Sequence, residues 1–141
     1  MRWLVVAGVA AGTLVTASAM ALAAVPVTVF PNHGSPTTRF RVDFDADKQL
    51  SGDRWYTVEV VSAVTRNDCE HQESAAVSYA PKGSHVAVVL RPVDKLRWCE
   101  GVYRGAIHLD RRIGCGQPGP DLGPCSVKGP TVARFTFTVK P

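Results

Sequence analysis

The chain is predicted to be all-β: a single antiparallel β-sandwich of about seven strands, residues 24–141, behind an N-terminal signal peptide, residues 1–23. Three observations predict it. Apolar and polar residues alternate with a period of two through most of the chain after Ala24, the signature of strands with one buried face. Gly, Pro, Asn and Asp clusters interrupt the alternation at short intervals. Four cysteines follow an apolar leader, as expected of a modest core reinforced covalently outside the cell.

The leader comes first. Arg2 is the only charge before Arg39, and Trp3 to Val15 is almost unbroken apolar sequence. Small residues follow, and both "ASA", ending at Ala19, and "ALA", ending at Ala23, fit a small-x-small cleavage site. The stretch to Val25 has the length of a membrane span, but it is rich in Ala, Gly and Thr and lacks a basic stop-transfer cluster. The expectation is therefore a secreted protein with no membrane span after cleavage, extracellular or retained at the cell envelope. Removing the leader takes away Arg2 and leaves fifteen basic residues against twelve acidic ones, a net charge of about +3. The excess is scattered, with its densest pair in "LDRRIG", and no basic stripe with interleaved aromatics argues for nucleic acid. Mild basicity suits contact with an anionic cell surface.

The strands follow in order. "VPVTVF" is a short first strand that Pro26 marks as an edge. "TRFRVDFDA" places Phe40, Val42 and Phe44 inward and Arg39, Arg41 and Asp43 outward. "WYTVEVVSAV" places Tyr56, Val58 and Val60 inward and Thr57 and Glu59 outward. "SAAVSYA" is a weaker strand, and "SHVAVVLRP" buries Val86, Val88 and Leu90. "GVYRGAIHLD" buries Tyr103, Ile107 and Leu109. "ARFTFTVK" closes the chain with Phe135, Phe137 and Val139 inward. The breaks between them are "PNHGSP", "SGD", "PKG" and the long "GCGQPGPDLGPCSVKGP". A small barrel is the competing architecture.

This order of elements resembles an immunoglobulin-like or fibronectin type III-like sandwich. More narrowly, it is similar to small exported domains of high-GC Gram-positive bacteria. The matching motifs are V-x-V at Val27 to Pro31, F-x-V-x-F at Phe40 to Phe44, V-x-L-x-P at Val88 to Pro92, W-C-x-G-x-Y-x-G at Trp98 to Gly105, and F-x-F-x-V at Phe135 to Val139. Cys99 precedes its strand and Tyr103 follows it, unlike antibody domains, so the antibody-type disulfide is not carried over. The resemblance implies adhesion, envelope or accessory modules.

Cys69, Cys99, Cys115 and Cys125 allow three pairings. Cys69–Cys99 and Cys115–Cys125 are favoured. The first clamps the start of the sixth strand. The second closes a Gly/Pro loop of nine intervening residues. Neither C-x-x-C nor H-x-x-x-H spacing occurs around them, which argues against zinc.

Other chemistry is looked for in turn. "GCGQPG" matches G-x-G-x-x-G, but Pro118, Pro120 and Pro124 deny the helix that would hold a phosphate. Ser84 and His85 are neighbours on a strand and face opposite ways. His33 and Ser35 share a turn without a nearby carboxylate, and His71 and His108 are scattered. Asp43, Asp45, Asp47 and Asp53 superficially suggest a calcium loop. The EF-hand pattern fails at Lys48 and Arg54, which leaves only weak binding near Asp45 and Asp47 or turn formation. Trp55 and Trp98 read as core plugs rather than a sugar platform. No cofactor, metal or catalytic set is expected, and the chain reads as a non-enzyme.

The loop from Gly114 to Pro130 is left as the place for a partner. Its prolines and bridge make it rigid, and rigid loops bind at lower entropic cost. Gln117, Pro118, Asp121 and Leu122 are the candidate contact residues. The expected function is a disulfide-stabilised interaction or envelope accessory module, its partner another protein or an envelope component. The alternative is a secreted protease inhibitor presenting the Cys115–Cys125 loop, with Leu122 as specificity residue.

Overall fold

The alternating runs form strands. In a computed structural model, residues 24–48, 50, 53–93, 96–113 and 125–141 are described. They contain strands and turns, and among them no helix is long and apolar enough to cross a membrane. The strands are β1 (Val27–Phe30), β2 (His33–Gly34), β3 (Phe40–Asp45), β4 (Arg54–Ser62), β5 (Gln72–Val77), β6 (His85–Leu90), β7 (Gly101–Ile113), β8 (Cys125–Val127) and β9 (Thr131–Val139). One sheet has the order β1-β3-β6; the other has the order β2-β9-β7-β4-β5, with β8 pairing β7 beside β9's lane. The larger sheet curls into a half-barrel, so the architecture lies between the sandwich and the barrel that alternation leaves open.

Among the described residues there are nine strands where about seven are expected. β2 is two residues long and pairs parallel with the end of β9. A bridge that short carries no alternation to read. β8 sits in the Gly/Pro segment and is recruited by the long β7. The weak "SAAVSYA" strand is displaced toward the N-terminus, to Gln72–Val77, where it pairs with β4.

The two sheets are joined along one side. β1 pairs only with β3, as Pro26 predicts for an edge. The chain then passes the cis Phe30–Pro31 bond and enters the other sheet as β2. Val25 N–H donates to Val132 O at 3.0 Å on the same side. On the opposite side, β5 and β6 are the outer strands of their sheets and are not paired with each other.

The core follows the predicted inward set. Phe40, Val42, Phe44, Tyr56, Val58, Val60, Leu90, Tyr103, Ile107, Phe137 and Val139 are all buried. Phe40 stacks on Phe137 at 3.9 Å, and Phe137 stacks on Tyr103 at 4.9 Å. Trp98 meets Phe40, Tyr103 and Phe137 edge-on. Such rings contribute beyond their buried area. Gly105 lies directly opposite Phe135, and a Cβ there would come within 2.2 Å of that ring, so the aromatic ring rests on bare backbone.

The clamp at Cys99 is present. Cys69–Cys99 spans 30 residues, with the Cα atoms 4.9 Å apart. It ties the segment after β4 to the start of β7. Backbone bonds reinforce it: Glu70 N–H donates to Arg97 O at 2.7 Å, and Cys99 N–H donates to Glu70 O at 3.0 Å. Trp98 is buried, and its Nε1–H donates to Thr38 O at 2.8 Å. It is the predicted plug with a satisfied polar edge. Trp55 is not. It is half-buried on the outer face of β4, because Tyr56 takes the inward position beside it.

Asp43 also departs from expectation. It points outward but is only 7% exposed, because Arg41 Nε donates to one carboxylate oxygen at 2.7 Å and His85 Nε2 sits 3.0 Å from the other. Asp45 faces His85 Nδ1 at 3.3 Å, and Asp47 accepts from Tyr56 Oη at 2.6 Å. Asp43 and Asp45 thus share His85, while Asp47 is taken by Tyr56.

A candidate interaction site on the β7–β8 arm

β7 is the longest strand, at 13 residues against nine for β4. Its paired register with β4 ends at Arg54 opposite Arg111, and one further backbone bond, Arg112 N–H to Asp53 O at 2.6 Å, follows on that side. Beyond that point β7 continues against β8, to Ile113 opposite Cys125. The two strands make an arm whose last described pair is Ile113 and Cys125; residues 114–124 lie outside the described residues. Arg111, Arg112 and Ile113 are exposed along it.

The base of the arm is locked by polar side chains on the outer face of the larger sheet. β7 contributes His108 and Asp110, and β4 contributes Thr57 and Glu59. Thr57 pairs with His108 in register, and Trp55 pairs with Asp110. The bonds run along the diagonal: Thr57 Oγ1 donates to Asp110 Oδ2 at 2.6 Å, and Glu59 Oε1 lies 2.8 Å from His108 Nε2. Diagonal neighbours meet because the sheet twists. Asp110 Oδ1 also accepts from Gly129 N–H at 2.8 Å. A Cβ on Gly129 would come within 1.6 Å of Leu109 O, so only glycine lets the chain lie that close to β7.

Glu59 has a second partner. Lys128 Nζ donates to the same oxygen that faces His108. The Lys128 hydrogen bond, helped by His108, holds the Glu59 carboxyl below the usual carboxylate range despite some desolvation. Thr131 Oγ1 lies 3.2 Å from His108 Nδ1, so the imidazole is gripped at both nitrogens and is only 6% exposed. A hydroxyl, an imidazole and a carboxylate in series resemble a proton relay. Here the carboxylate is neutralised by Lys128 and the ring is enclosed, and the set joins β4, β7, Lys128 and β9 into one rigid base.

The predicted site residues divide accordingly. Cys69 and Cys99 form the clamp. Gln117, Pro118, Asp121, Leu122 and Cys115 lie outside the described residues, as does the Cys115–Cys125 bridge. The arm beneath them is described. Among the described residues, no group of three His, Cys, Asp or Glu side chains is gathered to hold a metal. The His108–Glu59–Thr131–Lys128 set was missed in the sequence. Its only trace there is two polar pairs at i, i+2, Thr57/Glu59 and His108/Asp110, and a pairing register is needed to match them. No protein-family model, curated protein or solved structure matches the chain.

Proposed function

We propose that this chain is an exported, non-enzymatic interaction module of immunoglobulin-like kind, which meets another protein or an envelope component with residues 114–124. The observation that carries the reading is the β7–β8 arm, which runs past the end of β4 and is bolted to the sheet at its base. A tip on a rigid stem loses little entropy on binding. Exposed Arg111 and Arg112 on the stem favour an anionic contact surface. The sheet orders β1-β3-β6 and β2-β9-β7-β4-β5, with the first strand crossing between sheets, support the immunoglobulin-like assignment. The Cys69–Cys99 bridge is consistent with an extracellular setting.

The test is affinity capture from the producing cell's envelope and medium. The bait is the protein purified from the medium, beside a copy with residues 116–124 replaced by a short Gly/Ser loop. N-terminal sequencing of the bait should begin at Met20 or Ala24. A partner retained by the intact protein and lost with the replaced loop is the expected result. Equal retention by both, or a bait that begins at Met1, overturns the reading.

A further inference from the structure

A second surface lies on the unjoined side of the molecule and reaches, through Glu59, to the base of the arm. We propose that the open edge of β5 and the groove beside it bind an extended peptide of a partner protein, which adds as a strand and sets a basic side chain against Glu73. An unpaired strand edge presents N–H and C=O groups that a further strand satisfies. Among the described residues β5 is such an edge, with β4 on one side and no strand on the other. Two of its outward N–H groups are met by local side chains: Gln72 N–H donates to Glu70 Oε1 at 3.4 Å, and Ser74 N–H donates to Glu73 Oε1 at 3.0 Å.

The groove has room for the added strand. One part, about 630 Å³, lies between β5 and β6 and includes Arg39, Ala75 and Arg91 in its lining. The next, about 480 Å³, is lined by Glu59, Glu70 and Gln72. Glu73, Val93 and Leu96 line both. Val93 and Leu96 are 46% and 43% exposed and offer apolar contact.

Unsatisfied groups point to the occupant's chemistry. Among the described residues, the buried side-chain polar atoms without a hydrogen-bond partner are His71 Nδ1, just before β5, and Glu73 Oε2, on β5 in the groove lining. A buried acceptor left unpaired is costly, and a charged one more so. An ammonium or guanidinium from an added strand would satisfy Glu73 Oε2 and draw its carboxylate off Ser74 N–H, freeing that donor for the ladder. Among the described residues, the second part of the groove is lined by Glu59, Glu70 and Glu73 and by no basic residue; Glu59 is already paired with Lys128 outside the lining, which leaves Glu70 and Glu73 to meet a basic occupant.

The test uses the peptide acetyl-Thr-Val-Lys-Val-Thr-amide and its counterpart with Glu for Lys, titrated into the full protein and followed by amide NMR. The lysine peptide should bind saturably, slow exchange of the Gln72 and Ser74 amides, and bind about tenfold more tightly than the glutamate peptide. E73Q should erase that preference while the near-UV circular dichroism is unchanged. S74P, which removes an outward donor without touching charge, should weaken both peptides; proline is tolerated at such an edge position. The copy with residues 116–124 replaced should bind the peptides as the intact protein does, so the two surfaces stand or fall separately. No saturable binding, equal affinity for both peptides, or full binding by S74P overturns the proposal. Dimerisation of E73Q through β5, where the intact protein stays monomeric, would show that Glu73 guards the edge rather than serves it, and overturns it too.

Discussion

Gly105 and Phe135 show how narrow the tolerances inside the sheet are. The ring sits where a Cβ would be, so Gly105→Ala forces it away from a packed aromatic stack. Overpacking of this kind costs about 1–3 kcal/mol. Urea denaturation of Gly105→Ala should fall in that range, and Phe135→Leu in the same chain should recover part of the loss. Tyr56 and Tyr103 bury their hydroxyls under a different constraint. Burial pushes both up to about 12, with the Asp47 hydrogen bond adding to it at Tyr56. A raised folded value means the native state holds its proton more tightly than the unfolded chain. Stability from these groups is therefore complete below about pH 10, the ordinary tyrosine value, and is lost as pH rises toward about 12. Melting temperature should drop across that window, and the drop should shrink in Tyr56→Phe and Tyr103→Phe. The inward placement of these aromatics is legible from alternation alone. The pairing of Gly105 with Phe135 is not, because it depends on the register between β7 and β9.

At the scale of elements, the clamp and the arm make separate demands. The Cys69–Cys99 bridge closes a loop of about thirty residues, for which restriction of the unfolded chain predicts roughly 3–4 kcal/mol. Replacing both cysteines with serine should lower stability by about that amount while leaving the strand content by far-UV circular dichroism in place. The base of the arm responds to acid. Glu59 is held below its ordinary value of 4.5, so its contribution is present above that value and is lost as pH falls through the lowered one. Amide exchange at Gly129 and Ile113 should accelerate in that acid range before the core unfolds. Lys128→Ala should remove part of this acid sensitivity at a cost of about 0.5 kcal/mol, since both groups are partly solvated. The strands themselves were readable, since each has one apolar face. The short β2 and β8 were not, because the long strands beside them supply their reason to exist.

Across the whole molecule, the two sides of the two-sheet fold differ. Where β1 and β2 cross between the sheets, the edge is closed. Where β5 and β6 face each other unpaired, it is open and carries the orphaned Glu73 oxygen.

The sequence by itself determined most strand faces and the breaks between strands; it favoured Cys69–Cys99 among three pairings, and the tertiary structure brought those two cysteines together. Faces and breaks are local or nearly local: a side chain's face follows from its position along the strand, and a turn follows from its own residues. Only the tertiary structure decided which strands are neighbours, which edge stays open and which polar groups meet across β4, β7 and β9. Those depend on register between segments tens of residues apart, and a shift of one residue would turn Glu59, His108 and Asp110 to the opposite face.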